Sequence, residues 1–124
     1  MSDDDFANLL EIAKSIECNA YTPHSNRANG VALLAKNGEI FTGCSIEISN
    51  IASSVCAGKA ALIKAISKGV REFTAVAITG DNVDITYLCG DCRQAFAEFG
   101  MDLVVISDLY PTEPKLLSEL LPVS

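Results

Sequence analysis

The most informative parts of this sequence are Val55-Cys56-Ala57-Gly58-Lys59 and Cys89-Gly90-Asp91-Cys92-Arg93-Gln94. One cysteine followed further along the chain by a Cys-x-x-Cys pair can supply three thiolates to a single Zn²⁺. The fourth tetrahedral position then remains open for water, which is the arrangement of a catalytic zinc site rather than a structural one. The two motifs therefore predict a zinc centre held by Cys56, Cys89 and Cys92.

Position 58, close to the first of these cysteines, is a glycine. A catalytic site of this kind normally has a carboxylate there to move protons, and glycine has no side chain to do so. Glycine inside a helix is also about 1 kcal/mol less favourable than alanine, so the residue is not explained by helix stability. The metal chemistry is thus predicted to be intact and the proton transfer to be deficient.

The composition is that of one compact domain spanning residues 1–124. The chain has 124 residues, of which 49% are hydrophobic, and a chain of this size buries about two thirds of the surface that it exposes when unfolded. With 9 Lys and Arg against 16 Asp and Glu, its formal charge is −7. Such a charge argues against binding the phosphate backbone of long nucleic acids and favours a small-molecule partner.

The N-terminus and the cysteine usage bear on the compartment. The chain begins Met1-Ser2-Asp3-Asp4-Asp5 and has no run of eighteen apolar residues, which predicts a cytoplasmic protein without a secretory leader or membrane span. Five cysteines, two of them three residues apart, favour metal binding over disulfides in a reducing compartment. Cys18 and Cys44 each lie alone in an apolar stretch and are expected to be small buried residues.

The apolar spacing predicts alternating helices and strands. A first helix is expected over Asp5–Ala20, followed by a hairpin that turns at Asn37-Gly38. Ser53 or Ser54 is expected to cap a second helix that places Cys56 in its first turn and ends near Lys68. The later predicted elements are strands at Phe73–Thr79, Val83–Tyr87 and Leu103–Ile106 and helices at Cys89–Phe99 and Pro114–Leu121, with one strand fewer if Val83–Tyr87 is only a connector. This order predicts an α/β fold, a mixed sheet covered by helices, with all three zinc cysteines at helix N-termini that favour thiolates.

Over nearly its whole length the chain resembles the small homotetrameric cytidine deaminases of the three-cysteine zinc type. The matching segments are Asn19-Ala20-Tyr21-Thr22-Pro23-His24-Ser25-Asn26, Ile40-Phe41-Thr42-Gly43-Cys44-Ser45-Ile46-Glu47, Val55-Cys56-Ala57 and Cys89-Gly90-Asp91-Cys92-Arg93-Gln94. The resemblance implies a single-domain, three-layer cytidine-deaminase-like fold and a homotetramer with shared active sites. It also implies zinc-activated water that attacks C4 of the cytosine ring and releases ammonia, with a separate glutamate as general acid and base.

The resemblance assigns roles to several residues. Cys56, Cys89 and Cys92 would be the zinc ligands, and Glu47 would bind the sugar hydroxyls. Lys59 stands where the family has an arginine that offsets the thiolate charge, so it supplies the charge without the planar fork of a guanidinium. His24 is expected to be an ordinary loop histidine.

Other positions depart from the family pattern. The family's Cys-Ala-Glu is Cys56-Ala57-Gly58 here, and loss of one positioned acid/base group commonly costs about 10²- to 10⁴-fold in rate. Three pocket positions also differ: Arg27 and Ile51 replace aromatic residues and Ser45 replaces a sugar-binding asparagine. Leu88 replaces the proline before the second zinc cysteine.

Two functional hypotheses follow. The first is a zinc-dependent hydrolase of cytidine, deoxycytidine or a related aminopyrimidine nucleoside, strongly impaired on cytidine by Gly58. Within it, Asp91 is a candidate replacement for the missing acid/base group, and Arg27 is a candidate ligand for a carboxylate or phosphate on a modified pyrimidine. The second is a catalytically inactive homologue that binds zinc and a nucleoside. An engineered knockout is a further possibility, although it would change one residue rather than several pocket positions.

Overall fold

A computed structural model describes residues 2–80, 88–108 and 114–120, without the side chain of Ile51. It contains four α-helices and five strands within these ranges, together with 3₁₀ turns at Glu17–Asn19 and Ile51–Ser53. In chain order the elements are α1 (Asp3–Ile16), β1 (Asn29–Ala35), β2 (Ile40–Cys44), α2 (Ala57–Ser67), β3 (Phe73–Gly80), α3 (Gly90–Ala97), β4 (Val104–Ile106), β5 (Lys115–Leu116) and α4 (Leu117–Leu120).

The strands form one mixed sheet in the order β2-β1-β3-β4-β5. β1 pairs antiparallel with both β2 and β3, β3 pairs parallel with β4, and β4 pairs antiparallel with β5. At one end of the sheet, Asn29 at the start of β1 lies opposite Gly80 at the end of β3, and Gly30 lies opposite Cys44 at the end of β2. This end of the sheet supports the candidate site.

Hydrophobic side chains cover both faces of the sheet, which makes the fold three-layered. On one face Leu9 and Ala13 of α1 pack with Ala32, Ala75 and Ala77 of the strands. The other face carries larger side chains of β1 and β3 against α2 and α3, and its buried members include Val31, Leu33, Val76, Ile78, Ala61, Leu62, Cys92 and Phe96. The predicted α/β fold class with a mixed sheet and flanking helices is confirmed.

Two glycines allow the helices to lie unusually close to the strands. A Cβ atom at Gly30 of β1 would lie 2.1 Å from the carbonyl oxygen of Ala13 in α1. On the opposite face, a Cβ atom at Gly43 of β2 would lie 2.4 Å from the carbonyl oxygen of Ala57 in α2. Because side chains do not tolerate such distances to backbone atoms, both contacts require glycine.

Several local predictions need correction. The second helix begins at Ala57 with Cys56 as its N-cap, because Val55 is paired with Ile46 in an isolated bridge, and Ser54 instead exchanges hydrogen bonds with the backbone of Ile48. The predicted last helix is preceded by the short strand β5, because Lys115 pairs with Val105.

The two cysteines outside the zinc motifs differ in their exposure. Cys18 is exposed rather than buried, and its thiol is directed to the carbonyl of Ser15 in the preceding turn, while Cys44 is partly buried. The predicted strand at Val83–Tyr87 lies outside the described residues. None of the helices in the described part of the chain combines the length and apolarity needed to span a bilayer.

Candidate metal centre and its cavity

Three cysteine sulfurs meet where α2 and α3 begin. Cys56 is the N-cap residue of α2 and Cys89 is the N-cap residue of α3, while Cys92 lies in the first turn of α3. The Sγ atoms of Cys56 and Cys89 are 3.1 Å apart, and all three Sγ atoms lie within 4.8 Å of one another. Two sulfurs bound to one tetrahedral Zn²⁺ at about 2.3 Å each are about 3.8 Å apart, so the cluster fits this ion.

The three thiols are electrostatically coupled. Hydrogen bonds from the side chains of Cys56 and Cys92 lower the pKa of Cys89 to about 2, and the backbone N–H of Cys92 also donates to the Cys89 sulfur. The same mutual hydrogen bonding raises the pKa of Cys56, through Cys89 first, and that of Cys92, through Cys56 first. The hydrogen bonds therefore favour the thiolate form at Cys89, and a bound dication would displace the protons of the other two thiols.

The cluster opens into a cavity of about 750 Å³. The cavity lies at the end of the sheet where β1 begins and β2 and β3 end. It brings together every site residue that the sequence analysis named on the described chain: Arg27, Ser45, Glu47, Cys56, Gly58, Lys59, Leu88, Cys89, Asp91 and Cys92. The side chain of Ile51, which stands where the family has an aromatic residue, lies outside the described residues.

Gly58 faces the metal cluster from the first turn of α2, where three neighbouring side chains lie close to it. A Cβ atom here would lie 3.2 Å from the Sγ atom of Cys92, 3.2 Å from Cδ2 of Leu88 and 3.3 Å from Cε2 of Phe96. These distances are shorter than ordinary contacts between carbon atoms, which lie at about 3.5–4.0 Å. A side chain at position 58 would therefore press on these three neighbours at its first carbon atom.

Lys59 and Asp91 form an ion pair across the mouth of the site. Their Nζ and Oδ2 atoms are 2.7 Å apart, with the two side chains 40% and 65% exposed. The hydrogen bond to Asp91 is the main cause that raises the pKa of Lys59, and the cysteines add to it. The pair connects the first turns of α2 and α3, the two helices that carry the zinc ligands.

Glu47 is held by the loop that precedes β1. Its Oε1 atom accepts hydrogen bonds from the backbone N–H groups of His24 and Ser25, each at 3.0 Å, and its Oε2 atom accepts one from the Ser25 hydroxyl at 2.5 Å. The Ser25 hydroxyl and backbone bonds, in that order, lower the pKa of Glu47. The Ser25 hydroxyl oxygen also accepts a bond from the backbone N–H of Arg27 at 3.0 Å.

Two further residues that line the cavity, Ser25 and Asn29, had not been assigned a role from the sequence. Asn29 exchanges hydrogen bonds with Ser45, since its backbone N–H donates to the Ser45 hydroxyl and its carbonyl accepts from the Ser45 N–H, each at 3.1 Å. Ser25 connects Glu47 to Arg27. A polar residue at the start of an apolar strand is the sequence signal that could have drawn attention to Asn29.

The chain was compared with proteins of known family. Residues 3–108 match the cytidine and deoxycytidylate deaminase zinc-binding region. The cytidine deaminase of Sporosarcina psychrophila is 42% identical over 95 residues, which cover 77% of this chain and 70% of that protein. The chain belongs to the cytidine and deoxycytidylate deaminase family.

Solved structures of cytidine deaminases share the fold. The enzyme from Mycobacterium tuberculosis superposes with a TM-score of 0.86 at 31% identity, over 97% of this chain and 96% of that one. The enzyme from Burkholderia pseudomallei gives a TM-score of 0.84 at 32% identity, over 95% of this chain and 97% of that one. The family match and the three-sulfur cluster confirm Zn²⁺ as the predicted cofactor.

Proposed function

We propose that this family member is a zinc-dependent hydrolytic deaminase of cytidine, deoxycytidine or a related aminopyrimidine nucleoside, with cytidine turnover strongly reduced by Gly58. The observation that carries the proposal is the cluster of three sulfurs opening into a cavity of about 750 Å³. Zinc bound there would supply an acidified water as the nucleophile for hydrolytic loss of the amino group. A cavity of this volume is suited to a small organic substrate.

The chain's own residues would bind and orient the substrate. Cys56, Cys89 and Cys92 would hold the metal, and the Lys59 ammonium would offset part of their negative charge. The Ser45 hydroxyl already accepts a bond from Asn29, so its own proton is left to donate to a sugar oxygen. Glu47 accepts three bonds from the loop and retains lone-pair capacity for one sugar hydroxyl, because a carboxylate offers about four acceptor sites.

The slow step is expected to be proton transfer. Gly58 carries no titratable group, and Asp91, the candidate replacement, is engaged by Lys59 at 2.7 Å. Glu47 is a weak base because its pKa is lowered by the Ser25 and His24 bonds. Among the residues described around the cavity, the geometry therefore offers no carboxylate free to carry protons between water and ring.

A direct assay tests the proposed function. The zinc-loaded protein should bind cytidine yet convert it about 10²- to 10⁴-fold more slowly than the Mycobacterium tuberculosis enzyme, as followed by ultraviolet absorbance. The Cys92→Ala variant should lose zinc and all turnover. Turnover equal to that of the comparison enzyme would contradict the impairment, and absence of both cytidine binding and turnover would overturn the assignment.

The second candidate function is a zinc- and nucleoside-binding protein without catalysis. It is favoured by the same observation, namely that the metal ligands are assembled while position 58 has no side chain. Calorimetric binding of cytidine, with no uridine produced during prolonged incubation with stoichiometric enzyme, would identify this function. Slow but zinc-dependent uridine formation would identify the enzyme.

Arg27 is proposed to select substrates that carry an anionic group. It lines the cavity in a chain whose charge is −7, and a guanidinium fork matches a phosphate or carboxylate. Cytidine monophosphate should bind more tightly than cytidine, and Arg27→Gln should remove the difference while Lys36→Gln, on an exposed loop, should not. Equal affinity of the wild type for the two ligands would contradict this role.

The homotetramer implied by the family resemblance is also a proposal. Tyr21, Ile46 and Ile48 are large apolar residues exposed by 58%, 37% and 41%, and Tyr21 bridges to Ile46, which lines the cavity. Burial of this patch by neighbouring subunits is expected. Sedimentation velocity should give a tetramer for the wild type and smaller species for Ile48→Glu, whereas a monomeric wild type would contradict the proposal.

A further inference from the structure

Leu88, the residue immediately before the zinc ligand Cys89, has an unusual backbone conformation. Its φ is +77°, and within the described ranges it shares a positive φ outside glycine only with Asn26. A left-handed conformation is unfavourable for a leucine and persists only where the surroundings require it. Leu88 is 1% exposed, so its side chain lies in the interior beside the metal cluster.

The side chain of Leu88 occupies the space in front of Gly58. Its Cδ2 atom would lie 3.2 Å from a Cβ atom at position 58, on the same side of α2 as the Cys92 sulfur. The other two neighbours have less freedom to move, because Cys92 is a zinc ligand and both Cys92 and Phe96 are held within α3, which Leu88 precedes. Leu88 is therefore the neighbour that must yield if residue 58 is to carry a side chain.

We propose that residues 58 and 88 depend on each other: the apolar side chain of Leu88 packs beside the metal cluster, where a side chain at position 58 would otherwise lie. We call these two residues the Gly58–Leu88 pair. A carboxylate introduced at position 58 alone would collide with Leu88 and displace Cys89 or Cys92. The inference deepens the proposed function, because it states why restoring the acid/base group requires two changes.

The coupling predicts a specific pattern among variants at the two positions. Gly58→Glu should lower zinc affinity at least tenfold and lower the Tm of the metal-free protein, because its Cβ atom would press on Leu88 and Cys92. Leu88→Ala should retain zinc. The double variant should recover zinc affinity to within about threefold of wild type, regain Tm relative to Gly58→Glu and deaminate cytidine faster than either single variant.

A matched control separates specific coupling from general loosening of the core. Leu62 lies on α2 in the same core cluster, and it is absent from the three nearest neighbours of a Cβ atom at Gly58. Combining Leu62→Ala with Gly58→Glu should therefore add a second destabilisation and rescue neither zinc binding nor Tm. Rescue by Leu62→Ala equal to that by Leu88→Ala would overturn the proposal.

The readouts distinguish this inference from the proposed function. Zinc affinity and the Tm of the metal-free protein require no substrate. Recovery of both in the double variant without cytidine turnover would support the Gly58–Leu88 pair and count against cytidine as the substrate. Wild-type zinc affinity and Tm in Gly58→Glu alone would overturn the pair whatever the activity.

Discussion

Among single residues, Glu47 combines a structural contact with a position on the cavity wall. Two backbone N–H groups and the Ser25 hydroxyl donate to its carboxylate. These hydrogen bonds reach full strength only when the Glu47 carboxylate is ionised, and they therefore lower its pKa. The carboxylate therefore stabilises the loop that carries Arg27 as well as facing the substrate cavity.

The Glu47 bonds predict a pH-dependent stability. Because the pKa is lower in the folded protein than its ordinary value of 4.5, the stabilisation is present above about pH 4.5 and is lost as the pH falls through the folded pKa. The Tm difference between wild type and Glu47→Gln should be largest near neutrality and shrink below pH 4. Thermal unfolding at several pH values checks this, with Glu11→Gln on exposed α1 as control, and a difference that does not change with pH would contradict it.

Between elements, the contact of β2 with α2 fixes where the first zinc ligand lies. A Cβ atom at Gly43 would be 2.4 Å from the Ala57 carbonyl oxygen and 2.5 Å from the Ala61 nitrogen, both backbone atoms. The start of α2, and with it Cys56, is thus located by the absence of a side chain on the neighbouring strand.

Gly43→Ala is expected to destabilise the fold by about 1–3 kcal/mol, because the strand and helix must move apart. Zinc affinity should fall with it, since Cys56 moves with α2. Gly90→Ala is the matched control, because a Cβ atom there has no neighbour within 4 Å and alanine is the better helix former. Urea unfolding measures both, and equal stability of the two variants would show that the close approach is not required.

The elements also show how far the sequence alone could lead. The Asn37-Gly38 hairpin and the helix that follows Cys89 were predictable because turn chemistry and capping are local. The start of α2 was placed too early because the bridge between Val55 and Ile46 is a contact between distant segments. The two-residue strand β5 was missed for the same reason, since only its pairing with β4 defines it.

The candidate site likewise has features that local sequence predicts and features that depend on contacts between distant segments. Cysteine spacing predicted the metal ligands, because thiolates at helix starts have few other uses in such a pattern. The sequence could not show that Lys59 pairs with Asp91 or that Leu88 fills the space before Gly58. Both depend on how α2 and α3 pack, which no local pattern records.

For the whole molecule, zinc is expected to hold the two helix starts against each other. The ligands come from the N-terminal ends of α2 and α3, and the Lys59–Asp91 ion pair is too exposed to replace the metal, because solvent-exposed ion pairs contribute little to stability. An ion bound at a hundred times its Kd stabilises the folded state by about 2.7 kcal/mol.

Removal of zinc should therefore lower the Tm by several degrees and leave a folded protein, because most of the buried side chains in the two hydrophobic clusters lie outside the three-cysteine centre. Differential scanning calorimetry with and without chelator measures the shift. Cys92→Ser, which lacks one ligand, should show a much smaller response to the chelator. A wild-type Tm that is unchanged by the chelator would contradict the role of the metal in stability.

The tight contacts around Gly58 also bear on how this lineage can evolve. With Leu88 and Cys92 each 3.2 Å from a hypothetical Cβ atom, a mutation that supplies a carboxylate would first weaken metal binding. A mutation that trims Leu88 would first open a hole in the interior. Since natural selection acts on one substitution at a time, each of these two changes would be disfavoured when it arises alone, and descendants of this sequence are expected to vary elsewhere in the cavity before an acidic residue stands at position 58.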